Sequence, residues 1–219
     1  MDRILIAPST DPTKSEDDLL SYVREIQDYA DFLHCDVMDG VFVPRKTISY
    51  ETILLLKRNC LLPLDVHLMV QNPLDEIEKY AKSGANIITI HYESFSCKTE
   101  IEKAVREIKK MGCLAGISIK PNTQIKEISS LLPTIDLVLV MSVEPGKSGQ
   151  SFIPETLSKV FELSEAKNEY GYNFLIEVDG GVNKANSLQL INNGANVLVS
   201  GSYVYSSADK NEAIESLRG

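Results

Sequence analysis

Short apolar runs recur along the chain at roughly 3–8, 32–37, 63–68, 86–91, 113–119, 136–141, 174–178 and 196–200. Each is five to seven residues long, the length of a strand buried on both faces. Between them lie stretches in which apolar positions return every three or four residues, the period of a helix with one buried face. These fall at 17–29, 50–58, 74–83, 99–111, 125–131, 154–168, 184–192 and 208–217. Two of the helix-to-strand corners look alike, Ser83-Gly84-Ala85-Asn86 and Asn193-Gly194-Ala195-Asn196, each with the glycine that ends a helix. They read as one αβ corner used twice, not as a long repeat. Dividing 219 residues among eight βα units gives about 27 per unit, which predicts a compact (β/α)8 TIM barrel formed by residues 1–219 as one domain. An open doubly wound sheet is the structural alternative. It fits less well, because chemistry-bearing residues stand at the ends of strands 2, 3, 6, 7 and 8. A barrel gathers all those ends around one mouth.

Strand parity then selects the chemistry. In Leu33-His34-Cys35-Asp36-Val37-Met38, alternate side chains share a face, so His34, Asp36 and Met38 point one way. Leu64-Asp65-Val66-His67-Leu68-Met69 and Ile176-Glu177-Val178-Asp179 add His67, Met69 and Asp179. One inward histidine is usually a hydrogen-bonded core residue, and one aspartate at a strand end is usually a cap or loop anchor. Four such groups together are harder to explain as structure, because buried charges are costly unless paired or bound to metal. Two imidazoles and two carboxylates suit zinc, iron(II) or manganese, and carboxylates beside such an ion can move protons. Asp39 and Asp65 read as loop anchors or as partners that orient a ligand. Met38, Met69 and Met141 are each ordinary core filler, but as a set at three strand ends they predict a dry rim around the site.

Gly-rich turns follow strands 6, 7 and 8: Gly146-Lys147-Ser148-Gly149, Asp179-Gly180-Gly181 and Ser200-Gly201-Ser202. Glycine lets backbone N–H groups approach an anion, and a short helix after strand 8 would add its dipole. Three such turns at adjacent strand ends predict a phosphate site. A net charge of −9 argues against nucleic acid and anionic membranes as partners. No apolar run approaches the ~20 residues that cross a bilayer. The N-terminus reads as a first strand and not as a secretory leader. Cys35, Cys60, Cys97 and Cys113 form no CxxC pair and predict reduced, mostly buried thiols in a cytoplasmic protein.

Read together, these residues resemble the ribulose-phosphate 3-epimerase family over nearly the whole chain. The matching runs are Ile6-Ala7-Pro8-Ser9, His34 through Gly40 with Phe42-Val43-Pro44, and Leu64 through Met69. They continue with Met141-Ser142-Val143, Pro145-Gly146, Gly149 through Pro154, Glu177 through Gly181, Gly194-Ala195-Asn196 and Ser200-Gly201-Ser202. The resemblance implies a ribulose-phosphate-binding barrel in which His34, Asp36, His67 and Asp179 hold one catalytic divalent metal (zinc, iron(II), manganese or cobalt). It implies that Asp36 and Asp179 are the acid/base pair on opposite faces of a ketose phosphate, and that Ser9 and His67 meet the sugar. Met38, Met69 and Met141 would line it, and Gly146, Lys147, Ser148, Gly149, Gly180, Gly181, Gly201 and Ser202 would hold its phosphate. It also implies a homo-oligomer, dimer or hexamer.

The expected reaction is C3 epimerisation of D-ribulose 5-phosphate to D-xylulose 5-phosphate through a cis-enediolate, in the pentose phosphate pathway. The nearest alternative is a sister enzyme acting on D-allulose 6-phosphate. Barrels of the orotidine-phosphate decarboxylase or hexulose-phosphate synthase kind carry D-x-K-x-x-D, which is absent here. A binding barrel without activity would be expected to have lost a metal or proton-transfer group. The chain departs from the family pattern at Thr10–Lys14, at Arg45-Lys46 and at Lys147-Ser148, so positive charge is expected at the mouth of an acidic protein.

Overall fold

A computed structural model describes residues 3–147 and 149–219. The eight strands are β1 (Leu5–Pro8), β2 (Leu33–Met38), β3 (Leu64–Met69), β4 (Ile87–His91), β5 (Leu114–Ile119), β6 (Leu137–Met141), β7 (Leu175–Asp179) and β8 (Val197–Ser200). They form one sheet in the order β1-β8-β7-β6-β5-β4-β3-β2, every pair parallel. The ring closes between β1 and β2 through the Ser9–His34 bridge, with Thr10 N donating to His34 O at 2.9 Å and Asp31 N to Ile6 O at 2.9 Å.

The helices are α1 (Glu16–Ile26), α2 (Tyr50–Asn59), α3 (Ile77–Ser83), α4 (Lys98–Lys110), α5 (Ile125–Ile128), α6 (Thr156–Tyr170), α7 (Ser187–Asn192), α8 (Ser202–Ser206) and α9 (Lys210–Glu215). In α1, Ser15 caps the amide of Asp18, acidic residues fill the first turn, and Leu19, Tyr22, Val23 and Ile26 form the buried stripe. The two predicted corners do share one design. Gly84 and Gly194 take φ of 113° and 107°. The amides of Ala85 and Ala195 reach back to the carbonyls of Tyr80 and Leu190 at 3.2 and 3.1 Å. Asn86 and Asn196 then accept, through their side chains, the amides of Leu64 and Ile176 at 2.9 and 3.0 Å, which pins each incoming strand to its neighbour. Five helices, α1, α3, α5, α7 and α9, are shorter than the periodicity predicts. A separate 3-10 turn, Pro73–Asp75, precedes α3, and α5 stops at Ile128 ahead of the turn Leu132–Thr134, which contains Pro133.

Outward strand residues, such as Cys35, Val37, Val66, Leu68 and Val178, join the helices in the main apolar core. The strands also bury residues toward the barrel interior. Ala7, Leu139, Val197 and Val199 belong to small apolar clusters apart from the main core. His34, Asp65, His67, Thr89, Ser118 and Glu177 are polar and all buried. A Cβ at Gly116 would overlap the Thr89 hydroxyl, so there is no spare room there. The four cysteines are free, but only Cys35 and Cys113 are buried; Cys97 is exposed just before α4.

Candidate active site

Register does what parity alone leaves open. In the β2–β3 ladder, His34 lies beside Asp65, Asp36 beside His67, and Met38 beside Met69. In the β6–β7 ladder, Met141 lies beside Asp179. His34, Asp36, His67 and Asp179 thereby present ligand atoms all within 4.8 Å of one another. The Nε2 of His34 is buried, has no hydrogen-bond partner, and lies 3.5 Å from Asp36 Oδ1. An orphaned imidazole nitrogen, a second imidazole and two carboxylates form a donor set that fits a borderline divalent ion.

The groups around this set are ordered. Ser9 donates its hydroxyl to Asp36 Oδ2 at 2.6 Å, so Ser9 orients the carboxylate as well as bordering the cavity. His67 Nδ1 lies 3.3 Å from Asp36 Oδ1. His34 Nδ1 meets Asp65 Oδ2 at 2.6 Å, the carboxylate–imidazole arrangement that fixes a metal-ligating ring. Asp65 is therefore an orienting partner. Asp39 is a loop anchor that accepts the amides of Val41, Phe42 and Gln71 at 2.8, 2.9 and 2.7 Å.

The charges are strongly skewed. Burial opposes charge on Asp36, but the imidazoles of His34 and His67 outweigh it and hold this carboxyl well below the ordinary range. Asp179 goes the other way: burial, then the charge of Asp36, pushes it up to about 7. Its carboxylate accepts no hydrogen bond among the described residues. Burial also works against a charge on His34, yet Asp65 and Asp36 hold its proton well above the usual value. Glu177, buried and with neither carboxylate oxygen hydrogen-bonded, is pushed well above the ordinary carboxyl range by burial and by Asp65.

Above these groups opens a cavity of about 780 Å³. Asp36 and Asp179 lie at its floor, with Met38, Met69 and Met141 on the wall. Gly146, Lys147 and Gly149 line it from the β6 loop, Gly180 and Gly181 from the β7 loop, and Gly201 and Ser202 from the start of α8 just after β8. His34 and His67 are wholly buried and do not reach the wall, so they meet the site from beneath. Ser148 lies outside the described residues. The predicted free positive charge at the mouth is partly cancelled: Arg45 Nη1 pairs with Asp11 Oδ1 at 2.6 Å, and Arg45 Nη2 donates to Asp11 O. Two of the altered loops thus strap each other beside the site.

Several working residues were missed from sequence. Ser142, fully buried, donates to the carbonyls of Asp179 and Gly180 at 2.8 and 2.6 Å and pins the turn that carries both. Glu177 could have been found, since it shares the inward parity of Asp179. His91 could also have been found: it is the third of only three histidines and ends an apolar run.

Among solved structures, the barrel is similar to KGPDC from Streptococcus mutans, with a TM-score of 0.74 at 11% identity over 99% of this chain and 96% of that one. A 3-hexulose-6-phosphate synthase matches with a TM-score of 0.67 at 18% identity, covering 99% and 98%. Identities this low show the fold alone. Sequence relatives reach further. The ribulose-phosphate 3-epimerase of Bacillus subtilis is 41% identical over 207 residues, 92% of this chain and 94% of that protein. The chloroplastic ribulose-5-phosphate-3-epimerase of Arabidopsis thaliana is 43% identical over 188 residues, 86% of this chain and 66% of that protein. The sequence pattern described as "Ribulose-phosphate 3 epimerase family" matches residues 5–205, from the first residue of β1 into α8, and so spans every strand that supplies the site. By fold, by site and by this match, the chain belongs to the ribulose-phosphate 3-epimerase family.

Proposed function

We propose that the chain, as one catalytic barrel domain, interconverts D-ribulose 5-phosphate and D-xylulose 5-phosphate with the help of one divalent cation. The observation that carries this reading is the pair Asp36 and Asp179. The two carboxyls come from strands three places apart around the ring and meet at the floor of one cavity with opposite proton affinities. Inverting C3 beside a carbonyl requires a base on one face and an acid on the other, and two carboxyls with divergent environments meet that need.

His34, Asp36, His67 and Asp179 would hold zinc, iron(II), manganese or cobalt. A cation there supplies Lewis-acid stabilisation of the negative charge that develops on the substrate oxygens. Asp36, oriented by Ser9 and held ionised, serves as proton acceptor at C3 for one epimer. Asp179 returns a proton from the other face, and the roles exchange in the reverse direction. Met38, Met69 and Met141 exclude water around the reacting carbons. Gly146, Gly149, Gly180, Gly181, Gly201 and Ser202, with Lys147, hold the phosphate at the other end of the cavity.

The test is an epimerase assay with both ketose phosphates after treatment with a strong chelator. Turnover should vanish and return with zinc, iron(II), cobalt or manganese. Full activity in protein shown to be metal-free would overturn the metal assignment. With metal present, kcat/KM for D-ribulose 5-phosphate should exceed that for D-allulose 6-phosphate at least about tenfold, ~1.4 kcal/mol of differential transition-state binding. Reversed values would move the assignment to the six-carbon sugar.

A further inference from the structure

We propose that His91 and Glu93, at the end of β4 and just beyond it, are positioning residues that set the tautomer of His67, so that its Nδ1 offers a lone pair to the metal site. The inference rests on the metal-dependent reading above and concerns residues that do not line the catalytic cavity.

The argument is one of hydrogen-bond polarity. His67 Nε2 and His91 Nε2 are 2.9 Å apart, and both rings are wholly buried. Two imidazole nitrogens in contact must divide their roles, one carrying the proton and the other the lone pair. Which does which is decided at the far end of the chain. His91 Nδ1 lies 3.0 Å from Glu93 Oε2. The other oxygen of Glu93 accepts the amide of Lys120 at 2.7 Å and the hydroxyl of Thr123. These donors mark Glu93 as an ionised carboxylate, which can only accept. His91 Nδ1 therefore carries the proton and donates it to Glu93. The His91 Nε2 of the neutral ring is then the acceptor, and His67 Nε2–H donates to it. That leaves His67 Nδ1 unprotonated, 3.3 Å from Asp36 Oδ1 and within the four-ligand cluster. The reverse polarity would place a proton on His67 Nδ1, where it would hydrogen-bond Asp36 and leave no lone pair for a cation.

The surroundings keep this chain dry. The ring of Phe42, from the loop after β2, packs on His91 with centroids 4.8 Å apart. Lys120 Nζ sits 4.2 Å from the centre of the Phe42 ring. His34 obtains the same result more simply, through its direct bond to Asp65. Each metal-ligating ring thus ends on a carboxylate, one directly and one through an intervening imidazole.

Glu93→Gln tests the inference, because it preserves shape and reverses polarity. The amide oxygen of the new side chain can still accept from Lys120 N and Thr123. Its NH2 group then faces His91 Nδ1 and donates to it, which turns both rings over. Zinc affinity would be measured by competition with a chromogenic chelator, and the ring tautomers by 15N NMR of the histidines in the metal-free protein. Glu93→Gln should weaken zinc binding by about 10- to 100-fold. It should also exchange the protonated and unprotonated nitrogen signals of His67. Saturating zinc should restore most of kcat, as expected for residues that position a ligand and touch no substrate. If Glu93→Gln fails to fold, His91→Phe removes the acceptor of His67 together with the donor to Glu93, and should weaken zinc binding in the same range. Wild-type zinc affinity in the folded variant, or an unchanged His67 tautomer, would overturn the proposal. Failure of the wild-type protein itself to bind zinc would instead overturn the metal reading on which it rests.

Discussion

Replacing Asp179 by Asn should damage the enzyme and strengthen the metal-free fold. Asn keeps the volume and one oxygen, and removes the charge and the proton. In the structure, Asp179 accepts no hydrogen bond among the described residues, so the amide gives up no partner there. Its carboxyl is pushed from 3.8 to about 7 by burial and by Asp36. At about 1.4 kcal/mol per tenfold change, that gap is a cost of ~4 kcal/mol for carrying the ionised group in the folded chain. It is an upper figure, because the carboxyl borders a water-accessible cavity. The sign is that of a raised acid: the cost is absent below about pH 4, grows as pH rises, and is complete above about 7. Metal-free Asp179→Asn should therefore match the parent in stability at pH 4 and exceed it at pH 8. With ~2–4 °C of Tm per kcal/mol for a chain of this size, even a quarter of the cost gives a readable shift.

Epimerisation by the same variant, assayed with metal saturating and occupancy verified, should fall on the order of 10²-fold or more. Hydrogen exchange separates the two faces. In deuterated water, one epimer should still exchange its C3 proton through Asp36, while the other should not. Near-normal turnover with metal bound would refute the two-face assignment, as would equal loss of exchange for both epimers. An unchanged Tm at pH 8 would refute the electrostatic reasoning.

Gly181→Ala should raise KM about tenfold with little change in kcat, measured by steady-state assay. Gly181 has φ of 64°, and a Cβ there would stand 2.7 Å from the amide of Phe152 and 2.9 Å from the carbonyl of Gln150, so two walls of the proposed phosphate end must separate. Metal affinity should rise with pH through the neutral range and metal uptake should release protons, because the metal-free site holds one on His34 and holds Asp179 near 7; chelator competition at several pH values checks this, and a flat profile would contradict it.

How much of this was readable from the chain depends on how far each interaction reaches. The strands were placed to within a residue or two, because a core strand is written locally as an apolar run. That His34, Asp36, His67 and Asp179 share an inward face was readable because parity is also local. The pairing of His34 with Asp65 and of Asp36 with His67 was not, because register is a property of two strands and a one-residue slip exchanges the faces. The same limit applies to charge. Asp11 and Arg45 stand 34 residues apart, and each alone reads as a change in its own loop. Only in the folded ring do the β1 and β2 loops adjoin, and there the two changes form one ion pair.

The buried polar residues of the barrel set the larger physical problem. Burying His34, Asp65, His67, His91 and Glu177 side by side is unfavourable unless each charge and lone pair has somewhere to go. Some do: Asp65 accepts the Nδ1–H of His34, and Glu93 ends the His67–His91 chain. Others do not: Asp65 Oδ1, Thr89 Oγ1, Ser118 Oγ and both oxygens of Glu177 are buried without a hydrogen-bond partner. His34 Nε2 has no hydrogen-bond partner, and Asp179 sits at raised proton affinity beside Asp36. Both belong to the cluster that could hold a metal ion, and a bound cation would act on both at once, by taking the place of a proton on His34 and offsetting the charge of Asp179 beside Asp36.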